Sequence, residues 1–274
     1  MLLSAAETAR ERNERMFQLD NQVCLTTGVG NPSGIGFGCA KQLGLAGGTL
    51  IITATTERIY DRVKELKALG IRQAEGYVIN LCDRNAVAQM VVEIEEKYGK
   101  IDVLVNNAGN ASLAEREKSD IHPALENMSY EEWDTIINRN LTLTYNVTKE
   151  VLRVMRKNRY GRIVFISSVT GPLVTHMGVS AYGAAKAGIT ALSKSIVYEE
   201  GKNNIISNCI LPGWIATGVL TPDRLEAGSR NPLGRPGSPE EVGNLALYLS
   251  SKENSYVAGQ DIVIDGGNWI QEMK

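Results

Sequence analysis

A doubly wound α/β domain, with helices on both faces of a parallel sheet, is the fold this sequence predicts. Three observations predict it. Seven short runs rich in aliphatic and β-branched residues recur along the chain. Amphipathic stretches of helical length separate most of them. The turn after the first run is crowded with glycines. Alternation of this kind folds into parallel βαβ units. No Pro/Gly/Ser-rich linker, repeat or low-complexity tract divides the chain. Residues 21–274 are therefore expected to form one domain, preceded by a charged, helix-prone extension over residues 1–20.

The elements follow in order. Gln22 to Thr27 reads as the first strand and runs into glycines, then a helix from about Gly34 to Leu45. Thr49 to Ala54 is a second strand, followed by a helix from about Glu57 to Leu69. Gln73 to Ile79 is the third strand. Asp83 to Tyr98 is a helix, with Asp83 placed to cap the free N–H groups of its first turn. Ile101 to Val105 is the fourth strand. A long helical region covers about Tyr130 to Asn158, broken near Asn140. Arg162 to Ile166 is the fifth strand, and a helix carrying Tyr182 and Lys186 runs to about Glu200. Ile205 to Leu211 and Asp261 to Ile264 are the sixth and seventh strands. The polar, irregular stretch Asn110 to Ser129 reads as a surface excursion or as part of a substrate mouth.

Composition narrows the function classes. A chain of 274 residues with 43% hydrophobic residues has material for a large core. The formal charge is −2 without a basic block, so a nucleic-acid partner is not expected. No apolar run reaches the roughly 18 residues of a membrane span. The N-terminus lacks the basic flank of a signal peptide. Cys24, Cys39, Cys82 and Cys209 are scattered without metal-ligand or C-x-x-C spacing, which predicts four buried thiols in a reducing cytoplasm. The two histidines, His122 and His176, have no clustered acids, so no metal site is expected.

The glycine turn, Thr27-Gly28-Val29-Gly30-Asn31-Pro32-Ser33-Gly34-Ile35-Gly36, lies between the first strand and the first helix. Glycines there let the backbone approach a pyrophosphate at a helix N-terminus rich in free N–H groups. The turn departs from G-x-G-x-x-G, so its position carries more weight than its pattern. NAD-binding folds usually place an acid after the second strand to hold the ribose hydroxyls. Here the strand ends Ala54-Thr55-Thr56-Glu57-Arg58. Thr55, Thr56 and Arg58 suit a 2′-phosphate, which favours NADP(H), whereas Glu57 could point either way and keeps NAD(H) possible.

Tyr182-Gly183-Ala184-Ala185-Lys186 places a phenol and an ammonium on one helix face. Such a neighbour favours the phenolate and is expected to lower the tyrosine pKa toward working pH, making a usable proton-transfer group. Ser167 and Ser168 stand just after the fifth strand. A Ser-His-Asp hydrolase built on either serine lacks the G-x-S-x-G turn. Val169, Pro172, Leu173, Met177, Trp214 and Leu220 flank the expected pocket or belong to ordinary packing; together they suggest a moderately apolar substrate. Glu93 to Lys97 reads as a solvated helix face.

Taken in order, these motifs resemble the short-chain dehydrogenase/reductase family, and within it the 3-oxoacyl-carrier-protein-reductase-like members. The resemblance covers roughly residues 20–270. It rests on Thr27–Gly36, Asn106-Asn107-Ala108-Gly109, Asn140, Ser168, Tyr182 with Lys186, Pro212-Gly213 with Thr217, and the tail Gly259-Gln260-Asp261 to Asp265-Gly266-Gly267. It implies a Rossmann-type doubly wound parallel seven-stranded sheet and an NAD(P)-dependent oxidoreductase acting on a small carbonyl or alcohol. It implies that Tyr182 is the general acid, that Ser168 holds the substrate oxygen, and that Lys186 assists Tyr182 and holds the nicotinamide ribose. Asn140 would anchor a proton-relay water. Cofactor contacts are implied for Gly28, Ser33, Gly34, Ile35, Gly36, Thr55, Thr56, Arg58, Asn80, Leu81, Asn107, Ala108, Gly109, Tyr182, Lys186, Pro212, Gly213, Ile215 and Thr217.

Members of the family usually assemble as dimers or tetramers, so a homo-oligomer is implied. The chain departs from the family's T-G-x-x-x-G-x-G turn by two extra residues, and Ser33 stands where NADPH-preferring members often carry a base. Of the two basic residues that dock an acyl carrier, Arg159 matches and Asn203 does not. The alternatives left open are an NAD-dependent alcohol dehydrogenase and a cofactor-binding protein without catalysis.

Overall fold

The computed structural model describes residues 16–109, 124–218 and 221–271. Most of the extension, the stretch 110–123, His122 and Leu220 lie outside them.

Seven strands form one sheet: β1 (Val23–Thr26), β2 (Thr49–Ala54), β3 (Ala74–Val78), β4 (Val103–Asn106), β5 (Gly161–Ile166), β6 (Ile205–Pro212) and β7 (Asp261–Ile264). Their order is β3-β2-β1-β4-β5-β6-β7, and every neighbouring pair is parallel. The chain winds outward from β1 in one direction and from β4 in the other, so the crevice at their carboxyl ends is the topological switch point.

Eight α-helices accompany them among the described residues: α1 (Ile35–Leu45), α2 (Arg58–Ala68), α3 (Arg84–Tyr98), α4 (Tyr130–Ile137), α5 (Leu143–Asn158), α6 (Ser180–Glu200), α7 (Pro222–Ser229) and α8 (Pro239–Ser250). Both sheet faces are covered, which is why the central strands read as nearly unbroken apolar runs. One core packs α3, α5 and α6 through Val87, Ile94, Val147, Val151, Ile189 and Ile196. The other packs α1, α2 and α8 through Leu43, Ile59, Leu66, Val242 and Ala246.

Local signals account for several element ends. Asp83 accepts hydrogen bonds from the N–H groups of Asn85 and Ala86, so it caps α3 as its position predicts. The break near Asn140 is a π-turn, Asn138–Thr142, between α4 and α5. The fourth strand starts at Val103, two residues later than the apolar run suggests. Asp102 is instead held by its side chain, which accepts from Val23 N at 2.8 Å and pairs with Lys100 at 3.0 Å.

Helices α7 and α8 were not read from the sequence, although α8 starts with a recognisable capping box, Ser238 with Glu241. Helix α8 lies against α1 at Gly38 and Gly243, where a Cβ on either glycine would strike backbone of the other helix. The Glu93–Lys97 face is not simply solvated. Glu95 bridges α3 to Arg153 and Lys157 of α5, at 2.8 and 3.0 Å.

Candidate active site

The switch-point crevice is stitched together by one threonine and one asparagine. The Thr27 hydroxyl accepts from the backbone N–H groups of Asn107 and Ala108, each at 3.0 Å. The Asn107 amide returns the tie, donating to the carbonyls of Thr27 and Gly28 at 3.0 Å. The first glycine turn and the turn after β4 are thereby one unit. Gly28 sits at φ +73°, and a Cβ on it would lie 2.7 Å from Ala108 Cα. A Cβ on Gly36 would overlap the Asn107 amide. These glycines are required by the close approach of two backbone segments.

A cavity of about 750 Å³ opens from this unit. It gathers predicted cofactor residues from four loops: Gly28; Thr55, Thr56 and Arg58; Asn80 and Leu81; and Asn107, Ala108 and Gly109. Arg58 Nε donates to Thr56 Oγ1 at 3.1 Å, which directs a cation and a hydroxyl to the same part of the rim. Arg62, buried behind the turn, donates to the Gly30 carbonyl at 3.3 Å and steadies it. Bare glycine backbone, two threonine hydroxyls and a guanidinium suit a phosphate-bearing dinucleotide. Among the described residues no group of three or more His, Cys, Asp or Glu is placed to hold a metal ion, and no helix is long and apolar enough to cross a membrane.

Gly109 joins the cavity to a second cluster. It has φ +152°, and a Cβ there would lie 2.7 Å from Asn140 Oδ1. The π-turn holds Asn140 fully buried, with its amide donating to the Ile136 carbonyl at 2.9 Å. Leu141 of the same turn packs on Gly188 of α6, two residues beyond Lys186. Lys186 is buried and donates to the Ile166 carbonyl at the end of β5, at 2.9 Å. The Ser167 hydroxyl donates to the Lys186 carbonyl at 2.9 Å, so the strand end and the helix are tied in both directions. Gly171, at φ +106°, lies so close to Gly183 that no side chain fits between them. That contact brings the loop carrying Ser168 against the first turns of α6. Ser168 accepts from Thr170 N at 3.0 Å and hydrogen-bonds the half-buried Tyr182.

The electrostatics differ from the expectation set by i,i+4 spacing. Burial pushes the Tyr182 phenol above its ordinary pKa, and only the hydrogen bond with Ser168 draws it back. Lys186 contributes no lowering, because its ammonium is turned to the Ile166 carbonyl and lies 5.6 Å from the Tyr182 ring centre. Burial lowers the lysine itself to about 8. Sharing a helix face brings the two side chains together; the strand end decides where the ammonium points.

Not every predicted residue meets the cavity. Ser33, Gly34, Ile35 and Gly36 form the start of α1 outside its lining, with Asn31 Oδ1 accepting from Ser33 N at 3.0 Å. Pro212 ends β6 and Gly213 abuts Asp265. The Ile215 side chain is buried in the core on the α1/α8 side, leaving only its backbone for a ligand. Thr217 is carried beside Gly218, which approaches Ser33 and Asn31.

Val169, read as flanking the pocket or as ordinary packing, is core. Leu173, Met177 and Trp214 are exposed. Cys24, Cys39 and Cys209 are buried as expected, whereas Cys82 is half-exposed and lines the cavity. Sequence reading also missed Asn31, Ile79, Arg139 and Leu143 as lining residues. Two carried a signal, Asn31 inside the glycine turn and Arg139 as a charged residue next to Asn140 in the predicted helix break.

Comparison with known proteins identifies the family. Residues 28–268 match the family model described as enoyl-(acyl carrier protein) reductase. The chain is 40% identical over 255 residues to a 3-oxoacyl-acyl-carrier-protein reductase of Thermotoga maritima, covering 91% of this chain and 98% of that one. A reductase of the same name from Aquifex aeolicus is 37% identical over 255 residues, with the same coverage. Among solved structures, a short-chain type dehydrogenase/reductase from Mycobacterium marinum superposes with a TM-score of 0.83 at 30% identity, covering 92% of this chain and 97% of that one. With its Rossmann-type sheet, this chain belongs to the short-chain dehydrogenase/reductase family, among its 3-oxoacyl-carrier-protein-reductase-like members, and is an NAD(P)-dependent oxidoreductase acting on CH–OH or carbonyl groups.

Proposed function

We propose that the chain is an NADP(H)-dependent enzyme that interconverts a ketone and a secondary alcohol, with a 3-oxoacyl thioester as the first substrate to test. One observation carries the reading: Ser168, Tyr182 and Lys186 converge at the end of β5 beside Asn140, whose turn borders the dinucleotide-sized cavity through Gly109. When bound, the nicotinamide supplies or accepts the hydride.

Tyr182, kept protonated by its raised pKa, hands its proton to the oxygen of the carbonyl as that oxygen gains charge. Ser168, with its backbone-anchored hydroxyl, holds the same oxygen. Lys186 holds the ribose hydroxyls, and its charge favours the phenolate once its ammonium leaves the Ile166 carbonyl. Asn140 anchors the water that returns protons from solvent. Ser33, Gly34, Gly36, Pro212, Gly213, Thr217 and the Ile215 backbone complete the phosphate and carboxamide contacts.

The 2′-phosphate reading rests on Ala54, Thr55, Thr56 and Arg58 all lining the cavity while Glu57 does not. A homodimer or homotetramer in the cytoplasm, with residues 21–274 as the catalytic domain, completes the proposal.

The test is NADPH oxidation against a panel of ketoacyl thioesters, diketones, steroids and sugars, with NADPH and NADH titrated in parallel. Tyr182→Phe should abolish turnover while keeping cofactor affinity. Turnover surviving that substitution would refute the mechanism, and tighter NADH than NADPH would refute the cofactor assignment.

A further inference from the structure

The walls of the cavity differ in chemistry from end to end. The hydroxyls and Arg58 stand on the β2 side. Beside it stand Ile79, Asn80, Leu81 and Cys82 after β3, with Arg139 and Leu143 from the π-turn and α5. This second wall is mostly apolar, and it carries the guanidinium of the exposed Arg139.

Three observations hold Arg139 there. Cys82 Sγ contacts the Asn138 carbonyl at 3.6 Å, one residue before Arg139. Asn146 Nδ2 donates to the Leu81 carbonyl at 3.1 Å, which pins the loop after β3 to α5. The Arg139 carbonyl would lie 3.6 Å from a Cβ on Gly109. The wall that carries Asn80 and Leu81 and the turn that carries Arg139 are therefore one packed assembly. The Arg139 charge is near enough to act on the Cys82 thiol, and its guanidinium forms no ion pair among the described residues.

We propose that Arg139 is a binding residue for the adenine ring, its planar guanidinium stacking on the purine at the wall it shares with Leu81 and Leu143. A guanidinium is weakly hydrated, planar and suited to stacking on aromatic systems, and the apolar neighbours strengthen the contact by excluding water. The role is separate from that of Arg58: Arg139 recognises the base common to both dinucleotides, while Arg58 recognises the 2′-phosphate. The inference rests on the proposed dinucleotide site.

The experiment measures dissociation constants of NADPH, NADH and adenosine 5′-diphosphoribose for the full chain and for Arg139→Ala, Arg139→Lys and Arg58→Ala. Arg139→Ala should weaken all three ligands by a common factor of about 3- to 30-fold, the range of a guanidinium–ring contact. Arg139→Lys keeps the charge and loses the plane, so it should recover less than half of that loss on a logarithmic scale. Arg58→Ala should weaken NADPH alone. Selective loss of NADPH in Arg139→Ala would assign the residue to the phosphate and overturn the proposal. Full rescue by lysine, or unchanged binding in Arg139→Ala, would also overturn it. If the unaltered chain binds none of the three ligands, the dinucleotide reading itself fails, an outcome distinct from failure of Arg139 alone.

Discussion

Thr27→Val tests whether the crevice is held by a single hydroxyl. The substitution is nearly isosteric and keeps strand propensity, so it removes one polar atom and little else. That atom accepts from Asn107 N and Ala108 N, each at 3.0 Å. An amide deprived of its partner in a buried site costs about 1–3 kcal/mol. Both amides belong to half-buried residues, so water recovers part of the loss, and a total of about 2–3 kcal/mol is expected. At roughly 2–4 °C per kcal/mol for a chain of this size, the midpoint of thermal unfolding should fall by about 4–12 °C.

Thr26→Val is the matched control. Thr26 is fully buried one residue earlier, and its hydroxyl has no hydrogen-bond partner among the described residues. Replacing it with a methyl group should be neutral or stabilise by up to about 1 kcal/mol. Differential scanning fluorimetry of the two variants reads the contrast directly. Thr27→Val should also bind dinucleotide more weakly, since the two turns it joins form the cavity mouth. Equal midpoints for the two valine variants would refute the argument that the Thr27 hydroxyl organises the site.

Two further outcomes are expected. The buried Lys186, lowered to about 8, is charged below that pH and neutral above it. Tyr182 stays protonated across the same range, so kcat/KM for ketone reduction should be flat at low pH and fall as pH rises through about 8; a profile flat to pH 9.5 would contradict the requirement for a charged lysine. Cys82 is half-exposed and lines the cavity, whereas the other three thiols are buried, so iodoacetamide on the folded protein should label Cys82 alone, slowly, and saturating NADPH should protect it. Peptide mass mapping checks this, and labelling unaffected by NADPH would place the ligand elsewhere.

What this sequence determined alone is what depends on near neighbours. Strand and helix periods, the Asp83 cap, the break at Asn140 and the order of motifs are all set within one or two turns of chain, and the fold class and family follow from them. Neighbours at a strand end also point apart: Ser167 turns inward to the Lys186 carbonyl, while Ser168 turns to Tyr182.

Tertiary structure decided what depends on distant partners. The Lys186 ammonium points to a carbonyl 20 residues away, so the pKa effect read from helical spacing is replaced by burial. Val169 and Ile215 carry the same apolar character as pocket residues but are claimed by the cores on either side of the sheet. Cys82 and Arg139 join one wall because the loop after β3 is bonded to the π-turn more than 50 residues later. Burial and orientation are properties of packing between segments, and no window of sequence contains both segments.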